Sequence, residues 1–363
     1  MSDLLIKNGL VFTCIHEEYH ALKLRETDIL IENGWISKIN PAIEASCEIL
    51  DATGCLVLPG YINMGSASIS SRLLSGLLAD RKNTRQQRLL PVLDLASNIL
   101  CAEDIYAIAT LSLWDGLSGG TTTAVEYCRH SFSKAIQNAS EELGMRLLIA
   151  PGEKDLSEMI LETEPEEQLT DQILKNLTAP VCITGTAFTE PRLGPYTAIS
   201  SIGCVQEGNS YPGLEYLRKG INTPLMTGYS GNCMINEMRT AAFSAKQSEK
   251  NPAQFKAADA FYAATAAGAR ALGCRDILGR VDIGLSGDFS LIDMERFQPL
   301  SYPFTQFLYS GTIGDVRHVV CKGSICKKDF KPAARIASGL DFAKRKAHQA
   351  VSKVWDEAIR TIF

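Results

Sequence analysis

The chain has 363 residues, of which 45% are hydrophobic and 21% charged, and its formal net charge is −5. This length suits one large domain, or a large domain with a small one. Nucleic acids and anionic membranes are bound through concentrated basic surfaces, and nothing in this charge balance suggests one. We therefore expect no nucleic-acid and no membrane partner.

The cellular compartment is indicated by the amino terminus and the cysteines. Residues 1–14 are typical of a short strand and lack the basic flank and apolar run of a signal peptide. No uninterrupted apolar window of about 18 residues occurs, so no membrane span is expected. The eleven cysteines are scattered singly, which favours the reducing cytoplasm over a disulfide framework.

Short strands are predicted in the first 58 residues. Their ranges are 4–12, 28–32, 35–39 and 55–58. Asn33-Gly34 between the second and third strands is the clearest hairpin signal, because both residues of such a turn adopt positive φ. The amino-terminal part is therefore expected to be β-rich.

Helices alternate with short apolar strands in the middle of the chain. Helices are predicted at 102–119, 133–144 and 211–219, and the strands that follow them at 121–127, 145–150 and 223–228. This alternation is typical of a parallel α/β architecture.

The carboxyl-terminal part returns to strands, predicted at 289–293 and 316–321, before a final amphipathic helix at 340–362. We expect residues 1–58 and 280–335 to build a composite β-sandwich around a barrel at 59–279, followed by a carboxyl-terminal helix at 336–363. A complete (β/α)8 barrel typically needs about 250 residues. Because the barrel segment is shorter, one or two βα units are expected to be missing or reduced.

Four stretches along the chain carry a resemblance to a known family. They are the hairpin at 28–36, the run Leu58-Pro59-Gly60-Tyr61-Ile62-Asn63 after Asp51-Ala52-Thr53-Gly54, Gly120-Thr121-Thr122-Thr123 with Glu126, and the segment 264–288. Together they resemble the amidohydrolase superfamily, specifically its cytosine deaminase, guanine deaminase and triazine hydrolase branch. The resemblance implies a TIM-type (β/α)8 barrel with a small β domain, and hydrolysis of C–N bonds.

The resemblance also implies metal ligands, which this sequence lacks. The family carries His-X-His after the Pro-Gly-aromatic-Ile-Asn run, because residues two apart on a strand share a face. Here Gly65 and Ala67 occupy those positions. Ser230 stands where the family has the aspartate of Gly-Thr-Asp, and Gly203 corresponds to a further histidine. We therefore expect a degenerate metal site.

The histidine count leads to the same expectation. The chain has five histidines, and a catalytic zinc usually takes about three protein ligands that converge in space. Only His130 lies in the predicted barrel segment. We expect no bound metal and no other cofactor.

Glu126 and Cys128 are the candidate catalytic residues. Glu126 lies near the end of the strand predicted at 121–127, and the carboxyl ends of barrel strands face the active site. Cys128 is followed by Arg129 and His130, and a neighbouring positive charge or base lowers the pKa of a thiol. The alternative is that both are structural, since singly placed cysteines are usually small core residues.

Five residues are candidates for substrate binding. Tyr229, Ser230 and Asn232 offer neutral hydrogen-bonding groups at the position of the family's aspartate. Ser66 lies between the two lost histidine positions, and Cys204 is expected near a strand end.

Three functions stay open. We mainly expect a non-catalytic amidohydrolase homologue that acts as a ligand-binding or partner subunit. The alternative is a metal-independent hydrolase or lyase that acts on C–N bonds of a small, cyclic nitrogenous compound through Glu126 or Cys128. The third is a metal-dependent deaminase with replaced ligands. Besides a small-molecule ligand, we expect a homodimer or association with an active relative.

Overall fold

Strands lie at both ends of the chain, and helices alternate with strands between them. The computed structural model describes residues 3–14, 22–74, 90–150, 196–206, 208–229, 231–299 and 301–362. The strands are β1 (Leu4–Cys14), β2 (Leu22–Glu32), β3 (Trp35–Asn40), β4 (Glu48–Asp51), β5 (Cys55–Pro59), β6 (Tyr61–Ser66), β7 (Thr121–Glu126), β8 (Arg146–Ile149), β9 (Phe289–Asp293), β10 (Val316–Cys321), β11 (Ser324–Lys328) and β12 (Lys331–Pro332).

The helices of the described ranges fall mostly in the middle of the chain. They are α1 (Ser68–Leu74), α2 (Leu90–Ile99), α3 (Ala102–Ser118), α4 (His130–Leu143), α5 (Ser201–Gln206), α6 (Gly213–Arg218), α7 (Met234–Glu249), α8 (Ala257–Ala264), α9 (Ala266–Ala271), α10 (Pro303–Ser310) and α11 (Ala334–Thr361). Within these ranges, none combines the length and the apolar character that a membrane crossing requires.

Both ends of the chain contribute to one sheet. Its strands run in the order β12-β11-β10-β9-β5-β1-β2-β3, and β4 pairs with β1. The two ends meet where β5 pairs antiparallel with β9, with Cys55 opposite Asp293. Buried side chains of β1, β5 and β9, including Val57 and Leu291, form a core of their own beneath this sheet. Strands from both ends of the chain were expected to share one β structure, and they share this sheet. Its closure into a sandwich stays a prediction.

The predicted hairpin between β2 and β3 is confirmed. Asn33 has a φ of 54° and Gly34 a φ of 87°, as a two-residue turn of the favoured hairpin type requires. An asparagine and a glycine tolerate this left-handed backbone better than other residues do. The turn fixes the register in which Glu32 faces Trp35.

The middle of the chain supplies parallel strands. β6, β7 and β8 form a parallel sheet with β7 at its centre. On the other side of β6, the Gly228 N–H donates to the carbonyl of Gly65 at 2.7 Å, and segment 196–199 in turn bridges segment 222–225 in parallel. The described residues thus provide five adjacent parallel segments. The α/β class is confirmed, and the completeness of the barrel stays a prediction.

The carboxyl-terminal helix α11 packs along one stripe on helices α2, α3 and α4. The indole N–H of Trp355 donates to the carbonyl of Leu73 at 2.9 Å, and the Lys353 ammonium donates to the carbonyl of Ile99 at 3.1 Å. Its buried residues recur every three or four positions, as an amphipathic helix requires. They are Ile336, Leu340, Ala343, Ala347, Ala350, Val354 and Ala358. The structure therefore confirms the predicted helix.

A buried ion pair connects the parallel sheet to the larger sheet. The Arg146 guanidinium on β8 donates to the carboxylate of Asp288 at 3.1 Å and to the hydroxyl of Ser286 at 3.1 Å. The side chains of Arg146 and Asp288 are 18% and 7% exposed. Removing one partner of such a pair typically costs about 3–5 kcal/mol, because the other charge is left buried.

Candidate active site

The carboxyl ends of the parallel strands bring several predicted site residues together. Ser66 ends β6 and Glu126 ends β7, and the two residues pair in register. Ser66 also forms a parallel bridge with Gly228, which precedes Tyr229. In a barrel this edge is where active sites form. We call the group of Ser66, Glu126, Tyr229 and Asn232 the strand-end site.

Glu126 is fully buried, and Ser68 engages one of its two carboxyl oxygens. Its Oε1 accepts hydrogen bonds from the Ser68 N–H at 2.7 Å and from the Ser68 hydroxyl at 2.6 Å. These donors stand at the start of α1, directly after β6. The other carboxyl oxygen, Oε2, is buried and has no hydrogen-bond partner in the described part of the chain.

The protonation of Glu126 follows from this asymmetry. Burial raises the pKa of the Glu126 carboxyl above its ordinary value, and the hydroxyls of Ser68 and Ser66 and the Ser68 N–H oppose the shift. A buried polar atom without a partner costs free energy, so its persistence at a strand end needs an explanation. A ligand that exchanges a proton with Oε2 provides one. Perturbed carboxyl groups of this kind are typical of acid–base catalysts.

Asn232 connects Ser66 to α3. Its side-chain amide donates to the Ser112 carbonyl at 2.7 Å and to the Ser112 hydroxyl at 2.8 Å. Its Oδ1 accepts from the hydroxyl of Ser66 at 3.2 Å and from that of Thr227 at 3.3 Å. Asn232 is therefore a positioning residue that fixes the hydroxyl of Ser66, the neighbour of Glu126 on the adjacent strand, as well as a candidate for substrate binding.

Asn63 and Thr227 were not singled out in the sequence, but they extend the same network. The Asn63 amide donates to the Thr227 hydroxyl at 2.8 Å, and its Oδ1 accepts from the backbone N–H groups of Gly65 and Thr227, each at 3.1 Å. The Asn63 side chain thus links β6 to segment 222–228, and the two are joined by an isolated bridge and not by a continuous series of backbone hydrogen bonds. The Pro-Gly-aromatic-Ile-Asn run contained Asn63, but only the structure shows its partner.

Cys128 is disfavoured as a nucleophile. Burial and the neighbouring Glu126 raise the pKa of its thiol far above the ordinary value, so the reactive thiolate is suppressed. The positive charge expected to activate it is engaged elsewhere, because the Arg129 guanidinium pairs with Asp94. His130 is the first residue of α4. It is not among the groups that shift the pKa of the Cys128 thiol.

Cys204 does not lie at a strand end. It lies within α5, where its N–H donates to the carbonyl of Ser200 at 3.1 Å, and it is fully buried. Gly203, expected to correspond to a histidine of the family, also lies within α5, and the parallel bridge before α5 is formed by Ile199. Tyr229 is buried beside Gly228, and Ser230 lies outside the described residues.

Glu237 is a second buried carboxyl group that the sequence did not reveal. Its Oε2 accepts from the N–H groups of Ser201 and Ile202 at 2.7 and 3.2 Å and from the Ser201 hydroxyl at 2.8 Å, and its Oε1 accepts from the Ser200 hydroxyl at 3.1 Å. Burial raises its pKa to about 7 against these donors. With both oxygens engaged, Glu237 holds the start of α5 rather than facing a ligand. The sequence feature that could have revealed Glu237 is its position as a charged residue on the apolar face of α7, beside Met238.

The strand-end site does not fit the family's zinc in its usual place. A side chain at position 65 would place its Cβ 2.7 Å from the Cε of Met226 and 3.0 Å from its Cβ, so Met226 fills the space of the first histidine. Ala67 is buried and has no donor atom. Throughout the described ranges, no group of three or more histidine, cysteine, aspartate or glutamate side chains converges as a metal site.

Comparisons with known proteins agree with this fold. The amidohydrolase family model matches residues 210–326. The 5-methylthioadenosine/S-adenosylhomocysteine deaminase of Carboxydothermus hydrogenoformans is 26% identical over 416 aligned residues, which cover 89% of this chain and 92% of the relative. The 5'-deoxyadenosine deaminase of Methanosarcina mazei is 22% identical, covering 98% of this chain and 100% of the relative.

Among solved structures, an adenosine deaminase from Xanthomonas campestris with bound zinc superposes with a TM-score of 0.74 at 18% identity, covering 98% of this chain and 99% of that protein. At this identity the likeness concerns the fold.

The relatives overturn one expectation from the sequence. We expected a non-catalytic homologue, because the recognisable metal ligands are missing. Relatives that align over about nine-tenths or more of the chain are named as deaminases, so the expectation of a ligand-binding or partner subunit is wrong. The missing histidines concern single positions, whereas the alignment reflects nearly the whole chain. The chain is therefore similar to the amidohydrolase superfamily, in its deaminase-like branch.

Proposed function

We propose that this protein is a hydrolytic deaminase that removes the amino group from the purine ring of a 5'-substituted adenosine. The proposal rests chiefly on the Oε2 atom of Glu126, a buried carboxyl oxygen at the carboxyl ends of the strands for which the described residues provide no hydrogen-bond partner. The names of the relatives from Carboxydothermus hydrogenoformans and Methanosarcina mazei supply the substrate class.

The reaction needs one group that first accepts and then donates a proton. The Glu126 carboxylate takes a proton from water while the water oxygen bonds to the ring carbon that carries the amino group. The protonated carboxyl then gives this proton to the amino nitrogen. The C–N bond breaks and ammonia leaves, and the hydroxyl proton of the product then moves to the adjacent ring nitrogen to give the ring carbonyl. General acid–base catalysis of this kind contributes about 10²–10⁴-fold to a rate.

The environment of Glu126 suits both half-steps. Its raised pKa brings proton acceptance and donation closer in free energy than for an exposed glutamate. Ser68 holds Oε1, which leaves Oε2 as the oxygen that exchanges the proton. The Ser66 hydroxyl and the phenol of Tyr229 are neutral groups that would bind the heteroatoms of a purine ring.

A second candidate is a zinc-dependent deaminase with replaced ligands, favoured by the bound zinc of the Xanthomonas campestris adenosine deaminase. The described residues do not fit zinc in the usual place, so the two candidates make different predictions about added zinc and chelators.

The test is ammonia release and the change in ultraviolet absorbance with 5'-methylthioadenosine, S-adenosylhomocysteine and 5'-deoxyadenosine as substrates. Purified protein would be assayed as isolated, after chelation, and with added zinc. We expect activity that survives chelation and falls at least about 100-fold in Glu126→Gln. Glu215→Gln, whose side chain is 63% exposed, is the matched control and keeps full activity.

The possible outcomes separate the candidates. Activity lost on chelation and restored by zinc supports the zinc-dependent deaminase and contradicts the route through Glu126 alone. No ammonia from any of the three nucleosides, in any of the three metal conditions, contradicts deamination of this substrate class. Equal activity of the wild type and Glu126→Gln contradicts the assignment of the acid–base residue.

A further inference from the structure

A cavity of about 570 Å³ opens between α7, α8 and α10. We call it the α7–α10 cavity. Its volume falls within the range of sites that bind small molecules, about 300–1,000 Å³. The residues that line it and carry the argument are Phe243, Lys246, Pro252, Lys256, Thr305 and Tyr309.

The α7–α10 cavity is separate from the strand-end site. Helix α7 begins at Met234, two residues after Asn232. Phe243 and Lys246 lie nine and twelve residues further along this helix, which at 1.5 Å per residue places them about 14–18 Å from its start. A ligand in the cavity therefore does not reach Glu126.

Two aromatic rings form one wall of the cavity. The ring centroids of Phe243 and Tyr309 lie 5.3 Å apart, with their planes tilted by 38°. Phe243 is 53% exposed, which is unusual for a side chain whose burial is worth about 1.5–3 kcal/mol. The exposed ring offers a face on which a planar apolar group can stack.

Two lysines make the same cavity positively charged. The Lys246 ammonium donates to the carbonyl of Phe255 at 2.8 Å and to the hydroxyl of Tyr309 at 2.7 Å, and it lies 5.3 Å from the Tyr309 ring centroid. All of these partners are neutral. Lys256 stands at the start of α8. No acidic side chain lines the cavity, and no carboxylate among the described residues pairs with either ammonium group.

We propose that the α7–α10 cavity binds a planar aromatic anion, whose ring stacks on Phe243 and whose carboxylate, sulfonate or phosphate group pairs with Lys256 and Lys246. Charge complementarity selects an anion, because both cations lack a counter-ion in the described structure. The exposed aromatic face selects a planar ring over an aliphatic acid. The inference is independent of the deaminase reaction.

The test uses the fluorescent probe 8-anilinonaphthalene-1-sulfonate with the full-length chain. We expect one saturable site per chain. 2-Naphthoate should displace the probe, and its neutral analogue 2-naphthalenemethanol should displace it at least several-fold less well. This competition needs no variant, so it does not depend on how a substitution affects folding.

Variants then locate the site. Phe243→Ala should weaken probe binding about tenfold, because it removes an aromatic stacking contact. Lys256→Gln should weaken it about threefold, as expected for a partly exposed ion pair. Phe342→Ala and Lys344→Gln are matched controls on α11 and should leave the affinity unchanged.

Three results would overturn the inference. They are non-saturable binding, equal displacement by the neutral analogue and the anion, and equal losses in the cavity variants and the α11 controls. The first or the last would mean that the probe coats exposed apolar surface. The second would mean that the lysines do not select the charge. None of these results bears on deaminase activity.

Discussion

Glu237 offers the sharpest test of the electrostatics inside this fold. Replacing it with glutamine removes the charge but keeps the shape and the acceptor. The amide oxygen of Gln can take the place of Oε2 and accept from Ser201 and Ile202. Its NH₂ group would then face the Ser200 hydroxyl, which can accept a hydrogen bond. Glu237→Gln therefore isolates the ionisation of one buried carboxyl group.

The expected change in unfolding free energy with pH follows from the pKa of Glu237. Burial raises the pKa of Glu237 from 4.5 to about 7, and each unit of pKa is worth about 1.4 kcal/mol. Because the folded state holds its proton to a higher pH than the unfolded state, the stabilisation is complete below pH 4.5 and is lost as the pH rises to about 7. Relative to Glu237→Gln, the wild type should lose about 3 kcal/mol of unfolding free energy between pH 4.5 and 8.

The measurement is urea unfolding, followed by circular dichroism, at several pH values between 4.5 and 8. The quantity compared is the difference in unfolding free energy between wild type and Glu237→Gln, so other titrating groups cancel. Glu215→Gln is the exposed control, and its difference from wild type should stay within about 0.5 kcal/mol. A difference for Glu237→Gln that does not change with pH would refute the reasoning. It would mean that the donors of Ser200, Ser201 and Ile202 fully compensate the buried charge.

Two further predictions concern the strand-end site. Asn232→Ala should lower the unfolding free energy by about 2 kcal/mol, because it removes a donor to the Ser112 carbonyl and the acceptor of the Ser66 hydroxyl; a loss below about 0.5 kcal/mol in urea unfolding would contradict the network. Gly65→Ala should cost about 1–3 kcal/mol, because its Cβ meets Met226. In a double-mutant cycle this cost should shrink in a Met226→Ala background, and additive losses would show that Met226 does not fill the space.

The fold was predictable where local sequence determines it. The predicted strands 289–293 and 316–321 coincide with β9 and β10, since each is a short, largely apolar run next to a glycine turn. The strand predicted at 223–228 is instead a set of isolated bridges. Pro224 has no N–H to donate to a ladder, and the side chain of Asn63 takes over part of the pairing.

The candidate site was predictable only in part. Glu126 follows from its place at a strand end, which is a property of the local pattern. The contacts that give Glu126 and Asn232 their geometry join residues far apart in the chain, such as Ser66 and Asn232, and no periodicity reveals them. The histidine count led to the expectation of a non-catalytic homologue and was a poor guide, because a count of one residue type does not show which other groups can carry the chemistry.

The pairing of β5 with β9 has a consequence for how the protein is made. Strand β5 leaves the ribosome early, yet the partner of Cys55 is Asp293. At about 5–20 residues per second, roughly 10–50 seconds of synthesis separate the two strands. Throughout that time the apolar edge of β5 is open to pairing with other nascent chains. We therefore expect the yield of folded protein to depend on chaperones that cover this edge, and chains that end before β9 to aggregate.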